Sequence, residues 1–377
     1  MLANSGLRVA IHDTSGPTVE KIMAGQMPFW EPGAQELLVK VLANGKLQAF
    51  TEPDCISQGE SIVVVIGTPV DEHLNPDPNS LSKSLESSRQ YFRDGQLLVL
   101  RSTIFPGVTR QIEDLMRTWN LDIDVSFAPE RIAEHNAVEE LVSLPQIVAS
   151  RSDRGFERAK ALFLNLTSEV LRLSPEEAEL AKLFTNSWRY VKFAVANQFF
   201  MMANERGLDF EVIRSAMRHN YPRASDIAGP GFAAGPCLFK DTMQLAAFSD
   251  NKFQIGHSAM LINEGLPLYV VSKLEQKHDL RSMTVGILGM SFKAGSDDIR
   301  SSLSYKLKRV LEFKAKSVLC TDPMVRKEVD PSLLPLADVI AKSDILILAT
   351  PHHEYADLVS DKLLVDVWGL TGQGVRV

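Results

Sequence analysis

Cysteine is scarce in this 377-residue chain. Cys55, Cys237 and Cys320 are its three, spaced too widely for a disulfide framework or a zinc site. That excludes a small stapled secreted scaffold and fits residence in the reducing cytoplasm. Long apolar runs are missing too: nothing approaches the about eighteen apolar residues of a membrane span, and no basic-then-apolar leader opens the chain. Positive charge is not in excess. A net charge of −7 offers no surface to nucleic acid or an anionic membrane. Internal repeats and low-complexity segments are also absent. What remains is 45% hydrophobic and 23% charged, a globular composition too long for one ordinary domain.

Against that background the stretch from Pro230 to Phe248 stands out. Its small-residue loop, framed by Gly231 and Gly235, delivers Cys237, and an amphipathic helix is predicted to begin directly after. Lys240 follows three residues on. A helix N-terminus and a nearby ammonium both favour a thiolate, so this setting reads as a nucleophile rather than as a buried structural cysteine.

The first 150 residues alternate apolar strands with helical segments. Strands are expected at Leu7 to Asp13, Ser61 to Gly67, Leu97 to Arg101 and Val125 to Ala128, with helices at Pro32 to Leu42 and Leu81 to Phe92. Alternation of this kind predicts an α/β, doubly wound parallel sheet. The strands end in Gly67-Thr68-Pro69, Ser102-Thr103 and Pro129-Glu130, at the carboxyl edge where such sheets bind ligands. Asp13 suits the acid that holds a dinucleotide ribose, which normally follows a G-x-G-x-x-G loop by about 20 residues. Only twelve residues precede Asp13, and Met1 to Gly6 contain no such loop. The first strand and its phosphate-binding turn are therefore expected to be missing, leaving this N-terminal unit incomplete.

After Ser150 the pattern changes. Ser174-Pro175-Glu176-Glu177 is a helix start with an N-cap serine, proline at N1 and a capping-box glutamate. No proline or glycine follows until after Asn204, which predicts a helix of roughly 45 Å. It is apolar nearly all round, so it is expected to be covered on all sides, partly by a second subunit. Lys182 and Asn186, four apart, share one face and point to a polar cavity. Shorter helices are expected at Phe210 to His219 and His257 to Leu274. From Met283 a second α/β unit follows, with strands at Val285 to Leu288, Val318 to Cys320, Asp344 to Ala349 and Leu363 to Val367. The division expected is 1–150, 151–280 and 281–377. Lys293 and Arg300 are candidate phosphate contacts by charge and, for arginine, by its fork.

The ordered set of Asp13, Glu31-Pro32-Gly33, Gly67-Thr68-Pro69, Ser102-Thr103, Pro129-Glu130 with Glu134, Lys182 with Asn186, Cys237 with Lys240-Asp241, and Lys293 with Asp297 to Arg300 resembles the UDP-glucose/GDP-mannose dehydrogenase family. The resemblance runs from about Leu7 to Trp368. It implies two Rossmann-like domains joined by a long dimer-forming helix in an α-helical middle domain. It further implies four-electron oxidation of the C6 alcohol of a UDP-sugar by two NAD, through a thiohemiacetal and a thioester on Cys237.

The same resemblance assigns the remaining roles. Lys182 and Asn186 would stabilise the reacting oxygen, and Glu130 or Glu134 with Thr103 would activate water. Asp241 would orient water or the lysine. Gly231, Phe232, Gly235, Arg131 and Lys293 would hold substrate, with Arg223 reaching toward a partner subunit. Asp13, Gly67, Thr68, Pro69, Ser102 and Arg300 would serve the cofactor. Departures from the family pattern are Ala233 and Ala234 in place of glycines, Phe239 in place of proline, and Thr18 in place of a lysine. Pro129-Glu130-Arg131-Ile132 leans toward members acting on UDP-N-acetylhexosamines. Two other readings stand beside this one: a non-enzymatic nucleotide-sugar binder, suggested by the missing loop, and a two-electron hydroxyacid dehydrogenase, which would need no cysteine.

Overall fold

The computed structural model describes residues 1–67, 77, 79–233, 235–372 and 377. The chain divides into two compact units, Met1–Phe184 and Thr185–Val377. Among the described residues no helix is long and apolar enough to cross a membrane.

The first unit holds two sheets among the described residues. β1 (Val9–His12) pairs with β2 (Leu47–Phe50). A second sheet runs in the order β3 (Ser61–Val64), β4 (Leu97–Leu100), β5 (Asp124–Phe127), β6 (Gln146–Ser150) and β7 (Val170–Leu173). All its pairings are parallel except that of β5 with β6. This sheet continues past Ser150, where the sequence reading ended it. Among the described residues no ladder joins β1 to β3, and Met1 to Gly6 form a turn that buries Ala3 against the helices beside β1.

The central strand shows why the sheet forms. β4 reads Leu-Leu-Val-Leu and is buried throughout. Leu98 and Leu100 pack with Ile112 and Met116 of the helix Val108–Thr118, while Leu97 and Val99 pack with Phe156 and Phe163 of the helix Asp153–Phe163. Alternate residues thus fill the two faces of the sheet, as a strand period of two requires. Each buried leucine contributes about 1.5–3 kcal/mol.

The long helix spans Pro175–Asn204, as its uninterrupted sequence predicts. Its capping box forms: Ser174 N donates to Glu177 Oε2 at 2.8 Å, and Glu177 N donates to Ser174 Oγ at 3.3 Å. One turn on, buried Glu179 accepts from Gly107 N at 2.7 Å and Thr109 N at 2.9 Å, satisfying the start of the helix Val108–Thr118.

The second unit contains β8 (Thr284–Leu288), β9 (Ser317–Thr321), β10 (Ile345–Leu348) and β11 (Leu363–Asp366), all parallel, in the order β11-β10-β8-β9. The chain leaves β8 toward β9 and returns to the other side of β8 as β10. Ligand crevices of open parallel sheets form where the order reverses in this way. There Gly289 approaches Thr350 so closely that a Cβ would lie 2.5 Å from Thr350 Cβ, and its φ of +94° also favours glycine.

Two buried carboxylates pin the loops at this edge. Asp322, just after β9, accepts from Met290 N at 2.6 Å and Ser291 N at 3.0 Å, and meets His352 Nε2 at 3.2 Å. His352 Nδ1 accepts from Gly295 N at 3.3 Å, which places the ring proton on Nε2. Asp366 accepts from Trp368 N at 3.0 Å and Gly369 N at 2.9 Å. Burial alone would raise the Asp322 carboxyl, but the donors from His352, Ser291 and Val325 outweigh it and hold the group at about 2. A depressed acid contributes stability that is present above its unfolded value and lost as pH falls through its folded value. Asp322→Asn is therefore expected to unfold more easily at neutral pH. Its melting temperature is also expected to fall less steeply than the parent's between pH 4 and pH 2 in calorimetric scans.

Candidate active site

Cys237 is the N-cap of the helix Leu238–Phe248, and the residue is exposed. Asp241 N donates to its carbonyl at 2.9 Å in the first turn. The other two thiols are buried; burial, joined by Asp54, raises Cys55, and burial pushes Cys320 up to about 12. Only Cys237 has the exposure and helix position of a reacting group.

The loop before it is held from both sides. On the helix side, the buried Asn197 amide clamps the backbone of one residue: Gly231 N donates to Oδ1 at 2.8 Å, and Nδ2 donates to Gly231 O at 3.1 Å. Nδ2 also reaches Asn263 Oδ1 at 2.9 Å, and Asn263 Nδ2 donates to Tyr190 O at 3.1 Å. On the sheet side, Phe232 joins the apolar core of β8, β10 and the helix Leu303–Lys314. A Cβ at Gly231 would lie 2.3 Å from Trp368 Cε3, and one at Gly235 would lie 2.6 Å from Phe292 Cδ2. Their φ values of +146° and +110° independently favour glycine. Asn197 and Asn263 were missed in the sequence, although Asn197 stands on the same helical face as Asn186 and Tyr190, an amide inside an apolar run.

Asp241 is fully buried. It accepts from Asn186 Nδ2 at 2.5 Å, and Lys240 Nζ stands 3.8 Å from its other oxygen. The carboxylate therefore fixes the Asn186 amide. Lys182 lies half-buried one turn earlier on the same helix. Lys293, half-buried in the turn after β8, sits with Nζ 5.7 Å from the Phe292 ring centroid. Arg300 is exposed and forks onto Asp298, with Nη2 2.6 Å from Oδ2. Arg223 is exposed too, donating to Tyr221 OH at 3.5 Å.

In the first unit, Asp13 follows β1 and accepts from Ser15 N at 2.8 Å through Oδ1. Gly67 is exposed after β3, whereas Thr68, Pro69 and Ala234 lie outside the described residues. Ser102 donates to Ile66 O at 2.5 Å, and Thr103 is half-buried beside it. Glu130 is committed elsewhere. Its Oε2 is ion-paired with buried Arg101, and its Oε1 accepts from Arg131 N at 2.8 Å and Ile132 N at 3.1 Å. The Arg131 guanidinium donates to Pro145 O, a structural partner. Glu134 keeps greater exposure, at 39% of its side chain, with His135 Nε2 3.9 Å away.

Mostly parallel strands alternating with helices in each unit, with an exposed cysteine on a loop locked to the second sheet, are the architecture of a Rossmann-like α/β protein. The family models for the UDP-glucose/GDP-mannose dehydrogenase family match throughout: the NAD binding domain at residues 1–167, the central domain at 176–265 and the UDP binding domain at 286–373. The chain belongs to this family, and it is an NAD-dependent nucleotide-sugar dehydrogenase.

Similar proteins agree. UDP-N-acetyl-D-mannosamine dehydrogenase of Pyrococcus horikoshii is 28% identical, over 94% of this chain and 86% of its own. NDP-N-acetyl-D-galactosaminuronic acid dehydrogenase of Ralstonia nicotianae is 26% identical, over 96% and 89%. The solved UDP-D-ManNAc dehydrogenase of Pyrococcus horikoshii superposes with a TM-score of 0.89 at 26% identity, covering 98% of this chain and 91% of its own.

The residues present fit the ribose end of NAD. Asp13 stands at a strand's carboxyl end with its carboxylate direction fixed by Ser15. Among the described residues no Gly-rich strand-to-helix turn stands ready for the diphosphate.

The glycine geometry yields a paired test. Gly231→Ala is expected to cost about 2 kcal/mol or more in stability through backbone strain and the Trp368 clash. Turnover should fall on the order of a hundredfold, as it does when a reacting group is misplaced by an ångström. Ala233→Gly, two residues away, should stay within a few-fold of the parent in the same steady-state assay, because Ala233 has no positive φ to relieve.

Proposed function

We propose that the chain oxidises the C6 alcohol of a UDP-linked N-acetylhexosamine to the uronic acid in two successive steps. The observation that carries this reading is Cys237, exposed at a helix start on a loop fixed by Asn197, Phe292 and Trp368. When bound, NAD would supply the hydride acceptor for both oxidations. Between the two, the Cys237 thiolate attacks the aldehyde carbon to form a thiohemiacetal. Loss of the second hydride leaves a thioester, and water releases the acid with the thiol restored. Asn186, held by Asp241, and Lys182 stabilise the oxygen's developing negative charge. Glu134 takes the part of general base, with Thr103. Lys293 and the loop of Gly231, Phe232 and Gly235 hold the nucleotide sugar, Arg223 reaches toward a partner subunit, and Arg300 serves the cofactor. The N-acetylhexosamine preference is supported by Pro129 to Ile132 and by the activities for which the relatives are named.

A second reading, a nucleotide-sugar binder without turnover, draws on the diphosphate turn not found among the described residues. Product analysis separates the two. The purified protein, given NAD and UDP-N-acetylmannosamine, is expected to yield two NADH per uronic acid. Cys237→Ala is expected to lose acid formation by about a thousandfold or more, as removal of a covalent nucleophile does. Full two-NADH turnover by Cys237→Ala would sink the covalent mechanism, and UDP-sugar binding with no NADH from the parent would favour the binder.

We also infer a homodimer through the long helix, in a cytoplasmic enzyme. Trp188, Val195, Phe199 and Met202 are 61%, 43%, 39% and 59% exposed, at spacings of seven, four and three residues along one helix. A stripe of that size fits a second copy of the same surface, self-complementary about a twofold axis. Trp188→Glu is expected to shift the protein from dimer to monomer in light scattering. A parent that runs as a monomer at micromolar concentration overturns the inference.

A further inference from the structure

The loop that carries Cys237 and the crevice at the end of β8 and β10 are joined through two aromatic rings. The turn after β8 carries Phe292 and Lys293 side by side. Phe292 seats on Gly235, two residues before Cys237, while Lys293 follows at the carboxyl edge of β8, on the crevice side. Trp368, after β11, seats on Gly231. Both rings are fixed on their sheet side. Asp322, Ser291 and His352 pin the turn of Phe292, with Ser291 Oγ 2.9 Å from Lys293 O and 3.0 Å from His352 Nε2. Asp366 holds the Trp368 backbone, and Trp368 Nε1 donates to Ala349 O at 3.1 Å, at the end of β10.

The other side of each contact is different in kind. Gly231 and Gly235 have no side chains, and their backbones lie in conformations only glycine adopts without strain. A displacement of the rings therefore meets no side chain that could absorb it and moves the loop itself. Any ligand that shifts the turn of Lys293 acts on the neighbouring Phe292, and the Ala349 bond links Trp368 to the same crevice edge.

We propose that Phe292 and Trp368 are positioning residues that couple nucleotide occupancy of this crevice to the reactivity of Cys237. The inference rests on the proposed function only in taking the crevice as the UDP site and Cys237 as the acting thiol. It adds that substrate binding at the nucleotide end prepares the thiol before the sugar reacts.

The test uses the full chain and UDP alone, which carries no sugar to cover the thiol. Alkylation of Cys237 by iodoacetamide is followed by peptide mass spectrometry, the two buried thiols serving as internal references. Saturating UDP is expected to change the parent's rate by about fivefold or more, within the ordinary range of coupling between sites. In Trp368→Ala and Phe292→Ala that change should collapse toward unity, while UDP affinity by calorimetry stays within about threefold, since coupling and binding are separate quantities. Trp368→Phe, which keeps a ring on Gly231, should restore most of the response. If an alanine variant fails to fold by circular dichroism, Phe292→Leu and Trp368→Phe carry the comparison, with a graded loss expected.

An undiminished UDP response in the alanine variants overturns the proposal, as does a parent whose alkylation ignores bound UDP. Direct shielding by UDP would persist in every variant and so also counts against it. The readout needs no turnover. Failure of the covalent mechanism, read from Cys237→Ala product formation, is thus distinguishable from failure of this coupling.

Discussion

One side-chain amide holds the reactive loop in place. Asn197 satisfies both the N–H and the C=O of Gly231 from inside an apolar helix, as a neighbouring strand would. A buried amide left without partners costs about 1–3 kcal/mol, so the Asn197–Asn263 pair and the loop peptide stabilise one another. The loop's other anchors follow within a few residues of Gly231. Phe232 enters the sheet core one residue later, Gly235 turns under Phe292, and Cys237 opens its helix. The Asn186–Asp241 bond then joins the first turn of the Cys237 helix to the long helix that also carries Asn197.

Much of this was legible because the local signals were strong. The long helix runs from Pro175 to Asn204 because its start carries a capping box and nothing inside it breaks the ladder. β4 and β10 are short apolar runs bounded by turns, the pattern of strands buried on both faces. β2, β6 and β7 were not anticipated. Leu-Gln-Ala-Phe in β2 has no β-branched residue, β6 follows Pro145 and runs antiparallel to β5, and β7 is half-exposed with an arginine in its middle. Tertiary pairing, not local preference, makes them strands. The Cys237 loop was readable from its glycines. Its clamps were not, because Asn197, Phe292 and Trp368 lie far along the chain and only folding brings them to Gly231 and Gly235.

The departures from the family pattern also acquire a physical sense. Alanine stands at position 233 where glycine is usual in the family, and Ala233 is buried at an ordinary φ, its N–H donating to Gly231 O at 2.8 Å. The demand for glycine falls on positions 231 and 235, where φ is positive and an aromatic ring occupies the place of a Cβ. A methyl group at 233 fills core space without straining the turn, so the substitution is neutral for the loop's shape.

The two glutamates offered as general base are held differently. Glu130 faces a guanidinium that is itself 7% exposed and is further tied to Ala128 O at 3.1 Å and Gln146 Oε1 at 3.0 Å. Burial pushes Arg101 below its ordinary value, and Glu130 opposes that push. A Glu130 side chain that left this pairing would leave a buried cation uncompensated, so the carboxylate belongs to the architecture of the sheet's carboxyl edge. Glu134, four residues on, has the more exposed side chain, with His135 Nε2 3.9 Å away. Buried Glu31 takes His135 N and Ala137 N at 2.8 Å each, so the backbone beside Glu134 is held by another carboxylate. These contacts are why the proposed mechanism gives the general-base role to Glu134.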